Sequence, residues 1–238
     1  MRYYIIMSRI LFIFLIMTAI LTGANARTPQ VVKLDAPDLS RGINARTPQV
    51  VKLDAPDLSR GMSLMEALKE RKSVREFAAT PLSLKDLSDL LWAADGVNRP
   101  DGHHTAATAL NKEDIDIYVL LEEGAYLYRP ASSELQLVAE GDHRELIRGR
   151  QEDFPIPPAA LVMVSTPSRF GIPDANASMM MGAVDAGIVS QNIMLFCAAN
   201  GLVTVPRASM DSAAIATLLK LPEGALPIIN NPVGYPAK

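Results

Sequence analysis

Apolar positions along the chain change their period several times, and each change predicts an element. Leu64, Met65 and Leu68 share one helix face directly after Ser63-Leu64-Met65-Glu66. That tetrad is a capping box, in which serine and glutamate each satisfy an N–H at the helix start. A second helix opens after Pro81, with Ser83 and Asp86 at its start and Leu84, Leu87, Leu90 and Leu91 along it. "IDIYVLL" (Ile115–Leu121) reads as a strand, Glu123-Gly124 as a turn, and "AYLYRP" and "LQLVA" as the rest of a meander. A short helix near His143–Arg148 precedes "AALVMVS" (Ala159–Ser165), a continuous apolar run suited to a buried strand.

From Ala175 to Asn200 the pattern loses its polar face almost completely, and Gly201 is placed to end the helix. A helix that is apolar on nearly every side has to be buried on every side, in a fold centre or a dimer interface. Gly182, Ala183, Ala186 and Gly187 would let another helix approach closely, while Asp185, Ser190, Gln191 and Asn192 argue against a membrane span. "LVTVPRA" then reads as a strand, "DSAAIATLLK" as a helix and "ALPIIN" as a last strand. The sum is an α+β fold, a mostly antiparallel sheet surrounded by helices.

The first residues follow another logic. Arg2 and Arg9 precede an apolar run from Ile10 to Leu21, and Ala24-Asn25-Ala26 closes it with small residues. This predicts a signal peptide over 1–26, cut before Arg27, and an exported protein, periplasmic or secreted. An uncleaved anchor is the alternative, for which the run is short. "NARTPQVVKLDAPDLSRG" then occurs twice without change, at Asn25–Gly42 and Asn44–Gly61. Two identical polar copies do not make a solenoid. They read as a recent duplication that lengthens an arm over 27–61, with Ala45 as a weaker second cleavage point and the folded unit at 62–238.

Composition narrows the function. With 23 Lys and Arg against 26 Asp and Glu, the net charge is −3, and no basic face argues for nucleic acid. One cysteine, Cys197, precludes an internal disulfide framework; inside the apolar helix it reads as a structural thiol. His103-His104 has no third ligand at metal-like spacing, His143 reads as a surface residue, and the carboxylates show no paired acid/base spacing. Tyr126 and Tyr128 read as core or sheet-surface residues rather than pocket lining.

"RKSVREF" (Arg71–Phe77) is the one stretch with distinct chemistry. If the chain is extended there, Arg71, Ser73 and Arg75 fall on one side at period two, two guanidiniums and a hydroxyl suited to a phosphate. If it is still helical, the same residues are a basic C-terminus that complements the helix dipole.

Helix–"RKSVREF"–proline–helix–"LLWAADGVNRPDG", followed by "TAATALNKEDIDIYVLL", "DAGIVSQNIMLFCAANGLVTVPRASMD" and "NPVGYPAK", resembles the nitroreductase family of flavoproteins. The resemblance runs from about Met62 to the end and is strongest to the small thiazole/oxazole-dehydrogenase-like (SagB-type) subgroup. It implies an FMN-binding homodimer, an oxidoreductase acting on a small organic substrate, with flavin at the subunit interface and an electron partner that the sequence leaves unknown. By position, Arg71 and Lys72 would meet the FMN phosphate, Ser73 the phosphate or ribityl chain, and Arg75 the ribityl or pyrimidine edge. Thr108 and Asn111 match a loop at the ring edge. Pro206, Arg207 and Ala208 match the segment over flavin N5, where backbone N–H groups can donate, and Lys238 would add a late phosphate contact. The subgroup's usual proline-serine is Ala107-Thr108 here, and longer members continue to a basic pair beyond Lys238. A flavin-binding protein without turnover, or a structural dimer without flavin, are the alternatives.

Overall fold

The structure, a computed structural model, describes residues 47–238. The predicted signal peptide, the first copy of the duplication and the cleavage point at Ala45 lie outside the described residues.

Seven strands form one antiparallel sheet: β1 (Val50–Lys52), β2 (Ile115–Leu120), β3 (Gly124–Arg129), β4 (Glu134–Glu140), β5 (Ala159–Ser165), β6 (Val203–Thr204) and β7 (Leu226–Gly234). Their order is β1-β4-β3-β2-β5-β7-β6. The helices are α1 (Leu64–Glu70), α2 (Leu84–Asp95), α3 (Ala175–Ala199) and α4 (Ser212–Leu218). Short 3-10 turns lie at Ala109–Asn111, Arg144–Arg148 and Pro167–Phe170. This is the expected α+β fold.

The central strands have apolar residues on both faces because both faces are covered. Ile117, Val119, Leu161 and Met163 join the core under α2 and α3, with Leu90, Ala186 and Ile193. Their neighbours Tyr118, Leu120, Ala160 and Val162 join a second core with Ile147, Phe154 and Ile215. Period-two alternation thus divides a continuous apolar run between two cores.

Four expectations change. The folded unit starts before Met62. Val50–Lys52 of the second repeat copy pairs with Glu134–Gln136 of β4, and Leu53 is buried. The identical, proline-bearing sequence hid this, because strand pairing is long-range and leaves no local period. In α1 the capping box forms, with Ser63 accepting from the Glu66 N–H. Its apolar stripe, however, stays open: Leu64, Met65 and Leu68 are exposed and Ala67 is the buried residue. On α3, Met179, Met180 and Val184 are likewise exposed, at 49%, 66% and 56%, so one stripe of that helix is uncovered in the single chain. Gly182 serves the sheet, not another helix: a Cβ there would lie 2.1 Å from Ser165 Oγ.

Candidate functional site

Two regions carry the residues that the sequence singled out. In the first, α1 stops at Glu70, and Arg71 leaves the helix with φ −57° and ψ 121° after its N–H donates to Ala67 O. The following stretch is not helical, and Phe77 makes an isolated bridge to Pro236. Val74 N–H donates to Thr204 O (3.0 Å) and Ala78 N–H to Tyr235 O (2.9 Å), which hold it beside β6 and the end of β7. "RKSVREF" thus starts on the C-cap of α1, Arg71, and is not helical beyond it. Lys72, Ser73 and Arg75 are exposed and Arg71 is half-buried. Among the described residues, none of Arg71, Lys72 and Arg75 pairs with a carboxylate.

The segment Pro206–Ala208 follows β6 directly and lies near this stretch. Arg207 is held within the chain. Its N–H donates to Asn230 O (2.8 Å), and its guanidinium donates to Ile147 O (2.7 Å) and Gln151 Oε1 (2.7 Å). The guanidinium also stacks 3.6 Å from the centre of the Phe154 ring, which meets Phe77 edge-on at 6.3 Å. Arg207 is thus a buried strut beneath the basic stretch, and its backbone N–H is already committed. An isolated guanidinium cannot be buried cheaply, so the chain supplies it with carbonyls and a ring face. The adjacent Ala208 is exposed, and its N–H donates to no acceptor among the described residues. Burial, then the charge of Arg75, lowers the Arg207 guanidinium from its usual pKa. The two cations therefore repel, and an anion between them would relieve that repulsion. Lys238 is exposed just past Tyr235.

The second region is the loop that carries Thr108 and Asn111. Leu110, Asn111 and Glu113 all have positive φ (55°, 53° and 47°), a costly region for residues with a Cβ. The loop is held by side chains. Thr108 Oγ1 accepts from Glu113 N–H (3.1 Å), and the Arg169 guanidinium donates to Glu113 O (2.8 Å). Asp185 of α3 accepts from Ala109 N–H through Oδ2 (2.7 Å). A cavity of about 180 Å³ opens against Arg99, His103, His104, Thr108, Asn111 and Glu113. No residue of Arg71–Arg75 or Pro206–Ala208 lines it, so one chain does not bring the two regions together there.

Behind this loop stand carboxylates that sequence reasoning missed. Asp114 is fully buried next to Asp185; its Oδ2 accepts from Ser165 Oγ (2.6 Å), and its Oδ1 has no partner among the described residues. Burial, with the nearby Asp185 carboxyl, pushes the Asp114 carboxyl up to about 6, against the lowering effect of the Ser165 hydrogen bond. Asp95 and His104 form a second pair: Oδ1 and Nδ1 lie 3.2 Å apart, within ion-pair range, although neither atom makes a well-formed hydrogen bond. Asp95 raises the His104 pKa, and burial raises that of Asp95. These partners are distant in sequence, and the only local signal was a lone acid, Asp185, inside an apolar helix.

Cys197 is buried, and burial pushes its thiol pKa up, which suits a structural role. A larger cleft of about 410 Å³ lies between α1, α2 and the C-terminal half of α3, against Trp92, Leu195 and Phe196. None of the predicted contact residues lines it.

The sequence profile of the nitroreductase family matches residues 68–235, which is most of the described unit. The chain belongs to the nitroreductase family. A protein of Methanocaldococcus jannaschii that carries the nitroreductase name is 29% identical over 182 residues, 73% of this chain and 91% of that one. A crystal structure from Ralstonia eutropha JMP134, also named a nitroreductase, is 36% identical, with TM-score 0.77 over 83% of this chain and 94% of that one. The fold also matches an NADPH:FMN oxidoreductase of Vibrio harveyi, 19% identical, with TM-score 0.55 over 74% of this chain and 69% of that one. Nitroreductase-family proteins are oxidoreductases of small molecules and typically bind flavin.

Proposed function

We propose that this nitroreductase-family chain is an exported FMN-dependent oxidoreductase that works as a homodimer on a small organic substrate. The observation that carries the reading is the non-helical, basic Arg71–Arg75 stretch beside β6, whose cations have no carboxylate partners among the described residues. Unneutralised guanidiniums four residues apart in such a stretch suit a dianionic phosphate, through short charge-assisted bonds.

Arg71 and Lys72 would hold the phosphate, with Ser73 on the phosphate or ribityl chain. Arg75 would lie toward the ribityl or pyrimidine edge, where positive charge favours the reduced, negatively charged flavin. Ala208, not Arg207, would offer its N–H to the ring. Lys238 and Pro206 flank the same region. Bound FMN would supply hydride transfer at N5, in nitro-, quinone- or enone-type reduction or in azoline-type dehydrogenation. The last chemistry is the one that the thiazole/oxazole-dehydrogenase-like motifs favour.

Thr108 and Asn111 lie apart from the basic stretch, and α3 leaves an apolar stripe open. Both features suit a dimer in which the loop of one subunit completes the flavin site of the other. Export follows from the pattern of residues 1–26. Nicotinamide dinucleotides are made in the cytoplasm, so an exported enzyme would use another electron partner. Flavin fluorescence titration tests the core of this reading. The chain binds FMN, and Arg71→Ala with Arg75→Ala weakens binding at least about 100-fold, as two lost charge-assisted bonds require. Equal affinity in wild type and variant would remove the phosphate site.

A further inference from the structure

We propose that the first repeat copy, Asn25–Gly42, is a second occupant of the β1 position. Within one chain it exchanges with the copy at Asn44–Gly61 on the edge of β4, so that either of two identical strands can complete the sheet. The proposal concerns the arm and the sheet and does not depend on the FMN reading.

The docked copy is held along its whole length. Leu137 N–H donates to Gln49 O (2.9 Å), Val50–Lys52 pairs with Glu134–Gln136, and Leu53 donates its N–H to Ser133 O (2.9 Å) while its side chain is buried. Lys52 Nζ donates to Ser132 O (2.6 Å) and meets Glu134 at 3.2 Å. Asp54 N–H donates to Ser88 Oγ (2.9 Å), and Asp57 N–H to Asp89 Oδ1 (3.0 Å). Arg60 closes the arm on Asp86, Asp89 and Asn200. The arm's side of these contacts lies within Gln49–Arg60, and each residue there has an identical one 19 positions earlier, from Gln30 to Arg41. The receiving surface therefore has no chemical means to tell the copies apart. Gly61, at φ 90°, is matched by Gly42. Met62 N–H donates to Ala199 O (3.1 Å), a bond that Ile43 N–H would replace.

Chain connection is what separates the two states. With the first copy seated, about 19 residues form a loop before α1. Closing a loop of that length lowers the population about 100-fold by the three-halves power of its length. The second copy is thus the principal occupant and the first the minor one. A cut before Arg27, the one that the signal-peptide pattern predicts, would keep Gln30–Arg41 on the chain.

Disulfide trapping in the full chain tests the exchange. Val50 and Gln136 are exposed and opposite one another, and the flanking Leu137–Gln49 bond makes them a non-hydrogen-bonded pair, close enough to bridge as cysteines. Cys197 is buried and stays out of the reaction. Val50→Cys with Gln136→Cys should bridge under mild oxidation. Val31→Cys with Gln136→Cys should bridge as well, about 100-fold more slowly. Val32→Cys with Gln136→Cys is the control, one residue along the same tether but on the other face of a docked strand. It should bridge at least about tenfold more slowly than the Val31→Cys pair. Adding Leu53→Asp to the Val31→Cys pair puts a buried charge under the second copy alone. The bridge should then form within about tenfold of the Val50→Cys rate.

Equal rates for Val31→Cys and Val32→Cys would mean that the first copy only collides with the sheet edge, and would overturn the proposal. So would a Val31→Cys rate that Leu53→Asp leaves unmoved. A full chain that unfolds with Leu53→Asp would overturn it too, because the first copy would then have failed to take over. A bridge between two chains, seen as doubled mass on a non-reducing gel, would exclude exchange within one chain. A purified protein that begins at Arg46 would have lost the first copy, which would also end the proposal.

Discussion

Gly182 shows how much one absent side chain decides. Alanine there would put its Cβ 2.1 Å from Ser165 Oγ and 2.9 Å from Ser165 Cβ, so the serine must turn away from Asp114. Overpacking of this kind costs about 1–3 kcal/mol, against roughly 1 kcal/mol gained from helix propensity. Gly182→Ala should therefore lower the unfolding free energy by about 1 kcal/mol or more in a denaturant titration. An unchanged midpoint would mean that α3 and β5 separate freely. Arg71, Ser73 and Arg75 stood out in the sequence as a candidate phosphate site because their chemistry is local and their spacing is two, while Lys72 joined them through the family resemblance. Arg207 was not legible in the same way. The resemblance gave a role to the backbone of its segment, and the contacts of its side chain with Ile147, Gln151 and Phe154 lie more than 50 residues away. The Asp114–Asp185 pair escaped for the same reason.

At the scale of elements, apolar periodicity located the helices and the central strands. What it missed was β1, a three-residue edge strand inside a sequence that looks like a tether. The second repeat copy is anchored by Arg60, whose guanidinium meets Asp86 and Asp89, each at 2.7 Å, while its Nε donates to Asn200 (2.8 Å). Tyr235 donates to the same Asp86 (2.6 Å), so one cluster ties the repeat, α2 and the chain end together. Removing the cation takes one partner from each carboxylate, leaving Asp89 to Lys85 (2.8 Å) and Asp86 to Tyr235 (2.6 Å). Arg60→Ala should cost about 2–4 kcal/mol in chemical denaturation near neutral pH. Burial raises the pKa of Asp86 and Asp89, but their hydrogen bonds outweigh it and both end below the usual carboxylate value. The stability they give is therefore present above the ordinary aspartate range and lost as pH falls through it. The deficit of Arg60→Ala should shrink in acid; a deficit that grows in acid would contradict this cluster's role.

On the scale of the whole molecule, α3 is the decisive element. Its sequence demanded burial on all sides, and the single chain leaves Met179, Met180 and Val184 open. Covering such side chains is worth about 1.5–3 kcal/mol each. A dimer through this stripe would cover those side chains. Met180→Glu with Val184→Glu should yield a folded monomer in sedimentation experiments and lose flavin with it. A variant that remains dimeric would place the interface elsewhere.

The central claim is that an FMN phosphate sits on Arg71–Arg75. The most direct measurement is the visible absorbance of the chain from Arg46 onward, as purified and after incubation with FMN and gel filtration. The account predicts flavin bands that travel with the protein and vanish in Arg71→Ala with Arg75→Ala. A colourless protein, with FMN left in the small-molecule fraction, would contradict it.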